Sequence, residues 1–329
     1  LSPSEDSIIF LGTADFALPS LKMILENKFN LAGVLTRPDK PTGRGKKISY
    51  STIKKMALEQ GLPLFQPGSK AELESVLLNL QPSILVSVAY GMILPDAVLA
   101  IPPLGAINLH PSLLPAYRGA APMQRALMAG EEQTGVSVFY MASETDAGDL
   151  ILQQKAAIDP EDSFGTLSQR LAQQGAEMLL EALELIINKN APRIPQDDAL
   201  ATFAPPLSRD DEIIHWSRDS SSIANQIRAL EPEPGAYTMY RGKRLKIWKV
   251  AKDAKVAKVV KDAKSAFEAE EAAQSSSPGM ILKVEKDFFT VAAAEGQLKI
   301  LELQPEGKKR MSAEDFLRGY NPQVGERFE

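Results

Sequence analysis

Along the first two-thirds of the chain the apolar positions recur in two periods that take turns. "SIIFLGT" is a short apolar run that stops at Gly12. "ADFALPSLKMILE" follows with the three- and four-residue spacing of a helix, and Pro19 sits near its start, where a missing N–H is harmless. "LAGVLT" reads as a second strand, and "STIKKMALEQG" as an amphipathic helix stopped at Gly61. The alternation continues through the helix "AELESVLLNLQ", the buried strand "SILVSVAYG", the strand "GAINLH" and the helix "APMQRALMAG". It ends with the strand "TGVSVFYM" and the long helix "FGTLSQRLAQQGAEMLLEALELIIN". Strands alternating with helices predict an α/β fold, a Rossmann-like, doubly wound, mainly parallel sheet. In such a sheet the reactive crevice opens beyond the carboxyl ends of the strands. Gly12, Tyr90 and His110 fall at three of those ends.

The pattern then changes. "NKNAPRIPQDDALATFAPPLSRDD" is proline-rich, polar and without a period, which predicts an interdomain linker. "EIIHWSRDSSSIANQIRAL" reads as a helix. "GAYTMYRGKRLKIWKVA", "GMILKVEKDFFTVAAAEGQLKILELQ" and "GKKRMSAEDFLRGY" alternate as short antiparallel strands with glycine turns. They predict a smaller C-terminal β-barrel-like (OB-like) domain. Residues 251–279, biased to Ala, Lys and Glu and then to Ser, read as an excursion from that barrel, part helical and part loose. The expected division is a first domain over 1–189, a linker over 190–208 and a second domain over 209–329.

Composition agrees and excludes several classes. A chain of 329 residues usually exceeds one hydrophobic core. With no cysteine there is no disulfide framework or thiolate metal site, and with two distant histidines no metal is expected. No apolar run approaches the roughly 20 residues of a membrane helix, so a reducing, cytoplasmic setting without membrane contact is expected. Charge is uneven. Residues 1–207 carry 16 Lys and Arg against 22 Asp and Glu, and the remainder 21 against 20. Two basic runs, "TRPDKPTGRGKK" and "YRGKRLKIWKVAK", read either as nucleic-acid surfaces or as solvated faces.

"GAINLHPSLLPAYRGAAP", Gly105 to Pro122, holds one of the two histidines. Asn108 and His110 project from one face of a strand end. An amide donor beside an imidazole can stabilise an oxyanion and move a proton, although a strand-end histidine can also simply satisfy backbone groups. After the strand "TGVSVFYM", Asp146 and Asp149 flank Gly148; a carboxylate there either orients His110 or caps a turn. Gly12 and Thr13 suggest a first Rossmann-like turn but lack the full dinucleotide glycine pattern, so NAD is not expected.

At these residues the chain resembles the folate-dependent formyltransferases. The stretch from Asn108 to Pro122 is similar to the family signature, and Asp146 to Asp149 to its companion loop. "FLGTADFA" resembles the family's opening, and Val88 to Pro95 a folate-site segment. The resemblance implies a catalytic trio of Asn108, His110 and Asp146 and a tetrahedral oxyanion held by Asn108 and His110, with Asp146 orienting His110. It implies 10-formyltetrahydrofolate as co-substrate. Val88, Ala89, Tyr90, Gly91, Met92, Ile93 and Leu94, with the loop Ser112, Leu113, Leu114 and Pro115, would hold it. The basic loop and the C-terminal sequence are similar to those of family members that formylate methionyl initiator tRNA. That similarity implies tRNA contacts at Arg37, Lys40, Arg44, Lys46 and Lys47, then at Lys243, Arg244, Lys246 and Lys249, in a monomeric enzyme. Where relatives of that kind carry a lysine in the linker and a tryptophan between two prolines, this chain has "APPL" and "EPEPGAY".

Overall fold

The computed structural model describes residues 6–42, 47–252 and 277–329, and only the backbone of Lys40–Thr42, Lys47 and Ile48. In chain order the first elements are β1 (Ile8–Gly12), α1 (Leu18–Glu26), β2 (Leu31–Leu35), β3 (Lys40–Thr42) and β4 (Lys47–Ser49). Next come α2 (Thr52–Glu59), β5 (Leu64–Phe65), α3 (Lys70–Leu80), β6 (Ile84–Val88), α4 (Asp96–Leu99) and β7 (Ala106–His110). They are followed by β8 (Arg118–Gly119), α5 (Pro122–Ala129), β9 (Gln133–Tyr140), β10 (Leu150–Ala157), α6 (Phe164–Ile187) and β11 (Phe203–Ala204). The chain forms two compact units. The first comprises residues 1–122, 133–157 and 167–205; the second comprises 123–132, 158–166 and 206–329.

In the first unit seven strands form one sheet in the order β10-β9-β7-β6-β1-β2-β5. The five strands from β5 to β7 run parallel, and β9 and β10 are antiparallel additions. The parallel strands are apolar on both faces: every residue of β1 and β6 is buried. That is the pattern of strands covered on both sides. Strand order reverses between β1 and β6, where Gly12 lies in register with Val88 and the Thr13 N–H donates to the Ala89 carbonyl at 3.3 Å. β1, β6 and β7 end side by side at this reversal, which is where a sheet of this class opens its crevice. Strand β10 was not expected from the sequence. Its central residues are exposed polar ones, so it lacks the apolar run that marked the others.

The second unit contains α7 (Ser220–Ala229), β12 (Ala236–Tyr240), β13 (Lys243–Lys252), β14 (Ile281–Val284), β15 (Phe289–Ala292), β16 (Gln297–Pro305), β17 (Met311–Ser312) and α8 (Ala313–Tyr320). The strands form an antiparallel sheet, β12-β13-β16-β15-β14, with β17 on β16. Residues 325–329 close it. The Gly325 N–H and Glu326 carbonyl bond to Ile281 of β14, while Glu329 exchanges two 3.0 Å bonds with Met239 of β12. Phe328, 1% exposed, thereby enters the core with Trp216, Phe289 and Phe316. The barrel-like expectation holds, with two local differences. The expected helix from Glu212 begins only at Ser220, because Ile214 N–H donates to the Tyr237 carbonyl at 2.8 Å and draws that stretch along the sheet. Asp219 then caps α7 through the Ser222 N–H. Residues 313–320, expected as strand, are helical, with Ser312 accepting from the Asp315 N–H as N-cap. Most of the 251–279 excursion, residues 253–276, lies outside the described residues.

Candidate active site

β7 carries Asn108 and His110 to the edge of the crevice. β6 is its parallel neighbour, so the turn from Ala89 to Leu94 emerges beside them. Asn108 is half-buried and His110 is 4% exposed. The His110 ring is gripped on both nitrogens. Nε2 lies 2.9 Å from the Tyr117 carbonyl, and Nδ1 lies 3.6 Å from Oδ2 of Asp146. A carbonyl can only accept, so Nε2 is the nitrogen that carries a proton in the neutral ring. Nδ1 is then the nitrogen with the open lone pair, and it faces a carboxylate.

Asp146 reaches this place through an unusual backbone. Its φ is 54°, in the left-handed region that aspartate tolerates better than most residues. Its Oδ2 also accepts the Gly119 N–H at 2.8 Å. Two glycines allow the approach. A Cβ on Gly148 would lie 1.8 Å from the Tyr140 carbonyl oxygen, and one on Gly119 (φ 123°) would lie 2.6 Å from the Ala204 oxygen. The second aspartate of the motif, Asp149, is turned to Arg193 at 3.6 Å rather than to His110.

The loop after His110 is stiffened from below by residues that the sequence did not single out. Ser137, fully buried on β9 in register with His110, donates to the Ser112 carbonyl at 2.7 Å and accepts the Leu114 N–H at 3.2 Å. Gln153 of β10 donates to the Leu114 carbonyl at 2.8 Å, and Ser112 Oγ to the Ala116 carbonyl at 2.6 Å. Leu113 and Pro115 stay half-buried while Ser112 and Leu114 point inward. In the neighbouring turn Val88, Tyr90 and Leu94 are buried, Met92 is half-buried, and Ala89, Gly91 and Ile93 are exposed, Ile93 to 67%. Burial pushes the Tyr90 phenol pKa up, and Arg37 opposes that shift. Thus Ala89, Gly91 and Ile93 are the exposed residues of this turn, with Met92, Leu113 and Pro115 half-buried. Tyr90 belongs to the core beside Leu77 and Val98.

The basic residues divide. Lys40 and Lys47 stand on the β3–β4 hairpin, whereas Arg44 and Lys46 lie outside the described residues. The hairpin's root is fixed. Lys54 Nζ donates to Asp39 at 2.5 Å and to Gln66 Oε1 at 2.7 Å, and Gln66 Nε2 donates to the Arg37 carbonyl at 2.9 Å. The Lys54 hydrogen bond holds the Asp39 carboxyl below its usual pKa. In the second unit Lys243, Arg244 and Lys249 are exposed on β13, and Arg244 stacks 4.1 Å from the Tyr237 ring. Lys246 is half-buried and its ammonium donates to the Pro234 carbonyl at 2.5 Å. Among the described residues no helix is long and apolar enough to cross a membrane, and no cluster of three metal-ligating side chains occurs.

Comparison with known proteins places this geometry. A family model described as formyl transferase matches residues 7–183, and one for the formyl transferase C-terminal domain matches 206–321. The methionyl-tRNA formyltransferase of Carboxydothermus hydrogenoformans is 45% identical over 98% of this chain and 99% of its own. That of Moorella thermoacetica is 44% identical over 97% and 98%. Among solved structures, HypX from Aquifex aeolicus in complex with tetrahydrofolic acid shares the fold, with a TM-score of 0.66 at 16% identity. That likeness covers 98% of this chain and 49% of HypX. The chain belongs to the methionyl-tRNA formyltransferase family of the formyl transferases.

Proposed function

We propose that this chain transfers the formyl group of 10-formyltetrahydrofolate to the α-amino group of methionyl initiator tRNA. The observation that carries the reading is the His110 ring fixed between the Tyr117 carbonyl and the Asp146 carboxylate at a sheet switch point. The near-full-length relatives named for methionyl-tRNA support the acceptor, and the tetrahydrofolic acid in the HypX complex supports the donor class.

The α-amino group has a reference pKa of about 7.7–8.0 and must be neutral to attack. Asp146 and His110 Nδ1 take up its proton. The Asn108 amide, to which no other described residue hydrogen-bonds, donates to the oxyanion that forms as nitrogen adds to the formyl carbon. His110 in its cationic form shares that charge. When the carbon–nitrogen bond to the donor breaks, His110 Nδ1 returns the proton to the departing nitrogen, and the attacking nitrogen, which in the adduct carries one hydrogen more than the product amide, releases that second proton to solvent. Asp146 keeps the ring oriented and stabilises its cation throughout. The folate would lie against the backbone of 88–94 and the apolar side chains of Met92, Ile93, Leu113 and Pro115, which are at least partly exposed. Its bound form supplies the activated formyl carbon.

For the tRNA, the hairpin cations Lys40, Arg44, Lys46 and Lys47, with Arg37 at the root, would neutralise acceptor-end phosphates. In the second unit Lys243, Arg244 and Lys249 would also neutralise tRNA phosphates, and Lys246 would serve chiefly to brace Pro234. In this reading residues 1–189 are catalytic, 190–208 link, and 209–329 bind tRNA, in a cytoplasmic monomer. The test is a formyl-transfer assay with 10-formyltetrahydrofolate and methionyl initiator tRNA. Wild-type transfer that falls by about 100- to 1000-fold or more in H110A supports the reading. A folded wild type that transfers no formyl group refutes it.

A further inference from the structure

The segment read from sequence as a linker begins by crossing the first unit as a strap. Arg193 stacks 3.8 Å from the Tyr140 ring, and Ile194 exchanges bonds of 2.8 and 3.0 Å with Leu150, beside the 146–149 loop. Farther along, Thr202 Oγ1 accepts the Tyr117 N–H at 2.9 Å, and β11 pairs with β8. Residues 192–195 and 197–200 are exposed, and Gln196 between them is half-buried. Both ends of its amide are engaged. Nε2 donates to the carbonyls of Asp146 and Gly148, both at 2.8 Å. Oε1 accepts from Arg118 Nε at 3.2 Å and Nη2 at 2.9 Å. The orientation of the amide is fixed by its partners, because carbonyls only accept and a guanidinium only donates. Arg118 is 5% exposed and its other charge partner is Asp198 at 2.7 Å.

We propose that Gln196 is a positioning residue for Asp146. The two carbonyls it grips bracket Ala147, so the grip holds the loop in the conformation that gives Asp146 its left-handed φ and aims its carboxylate at His110. A neutral side chain with two donors and an acceptor at this reach is what the place requires. Glutamate has no proton for the carbonyls, and asparagine is one methylene short. Arg118 transmits the constraint to the other side of the site: Gly119, next in the chain, donates to Asp146, and Tyr117, just before it, holds His110. The strap therefore fixes the distance between the acid–base pair through the 146–148 loop and Arg118. This inference rests on the formyl-transfer reading of that pair.

The experiment compares wild type, Q196M, Q196E, D146N and Q196M/D146N in steady-state formyl transfer with 10-formyltetrahydrofolate and methionyl-tRNA. It also follows the Gly119 amide resonance by NMR in wild type and Q196M. A misplacement of about 1 Å predicts that Q196M and Q196E lose roughly 10- to 100-fold in kcat, with the KM of both substrates kept within about twofold. Because Gln196 acts through Asp146, Q196M then adds no further loss to D146N, whereas a merely structural role would multiply the two effects. The Gly119 amide shifts in Q196M as its bond to Asp146 loosens. Wild-type kcat in Q196M or Q196E, a full multiplicative loss in the double variant, or an unmoved Gly119 amide overturns the proposal. If the wild type itself transfers no formyl group, the functional reading falls, and the Gly119 amide still decides whether Gln196 positions Asp146.

Discussion

Gly148→Ala is the substitution whose consequence follows most directly from the geometry. The new methyl would start 1.8 Å from the Tyr140 carbonyl oxygen, a backbone atom in β9 that cannot swing aside like a side chain. To reach even the 3.0 Å below which real Cβ atoms are essentially never found, the loop must retreat by more than about 1 Å. Gly148 contributes one of the two carbonyls held by Gln196 at 2.8 Å, so the retreat stretches that bond and carries Asp146 with it. The His110–Asp146 separation already stands at 3.6 Å, so added distance removes an interaction rather than weakening a surplus. A shift of this size predicts a loss of about 100-fold in kcat. Overpacking against backbone predicts a stability loss of about 1–3 kcal/mol. Formyl transfer measured across both substrate concentrations, beside a urea melt, separates the two effects. G148A that keeps wild-type kcat and midpoint would show that the loop can yield where its packing against Tyr140 says it cannot, and the argument from Asp146 placement would fail with it.

Two further outcomes follow from other parts of the molecule. Asp211 is held at a pKa of about 2, chiefly by hydrogen bonds from Arg125 and secondarily by Ser208, against the opposing effect of burial. The depressed value means that the stabilisation is complete above the ordinary carboxylate range near 3.8 and is lost as pH falls toward 2. Allowing for solvent screening of this partly exposed pair, its size is about 1–2 kcal/mol. D211N should therefore be less stable at pH 7 and lose less between pH 4 and 2 in thermal melts, and an unchanged acid slope would refute the linkage. Neutralising Lys243, Arg244 and Lys249 together should raise KM for tRNA and flatten its salt dependence, with kcat preserved. The log–log slope falls by up to about one unit for each phosphate no longer neutralised. A salt slope equal to that of the wild type would remove β13 from the tRNA surface.

The parts legible in the sequence share a physical property: their meaning is local. Asn108 and His110 are two residues apart on one strand, so alternation alone puts them on one face. Gly12, Tyr90 and His110 mark strand ends because apolar runs stop there. Asp146 could be suspected as a partner, but strand pairing brings it to His110 across 36 positions, and spacing could not separate that role from turn capping. Residues whose meaning is purely non-local were not legible. Ser137 looks like an ordinary inward position in a hydrophobic strand, and Gln153 like one polar residue among several on β10. The closure of the barrel by residues 325–329 depends on pairing across about 45 and 90 positions at once, to Ile281 and Met239. The sequence around Phe328 alone carries no strand period long enough to announce it. One signal was present but misdirected. Ser312 followed by Glu314 and Asp315 is a helix start, yet the glycine-punctuated alternation around it favoured strand.

The same distinction explains how a buried histidine can be so tightly specified by so few residues. Three consecutive positions divide the task. The Tyr117 carbonyl takes Nε2 of His110, the Arg118 side chain braces Gln196, and the Gly119 N–H takes Asp146. The backbone twists between them: Tyr117 (φ 60°) and Gly119 (φ 123°) both have positive φ, which turns a carbonyl, a side chain and an amide toward three different groups. β11 locks that backbone by pairing Phe203 with Arg118 and Ala204 with Gly119. Sliding β8 by one residue would exchange the side chain and the glycine and leave Asp146 and Gln196 facing the wrong groups. The short strand pair is therefore a register device. Its contribution to stability is small, since two residues a side bury little, but it fixes the Gly119 N–H on Asp146 and the Arg118 brace on Gln196.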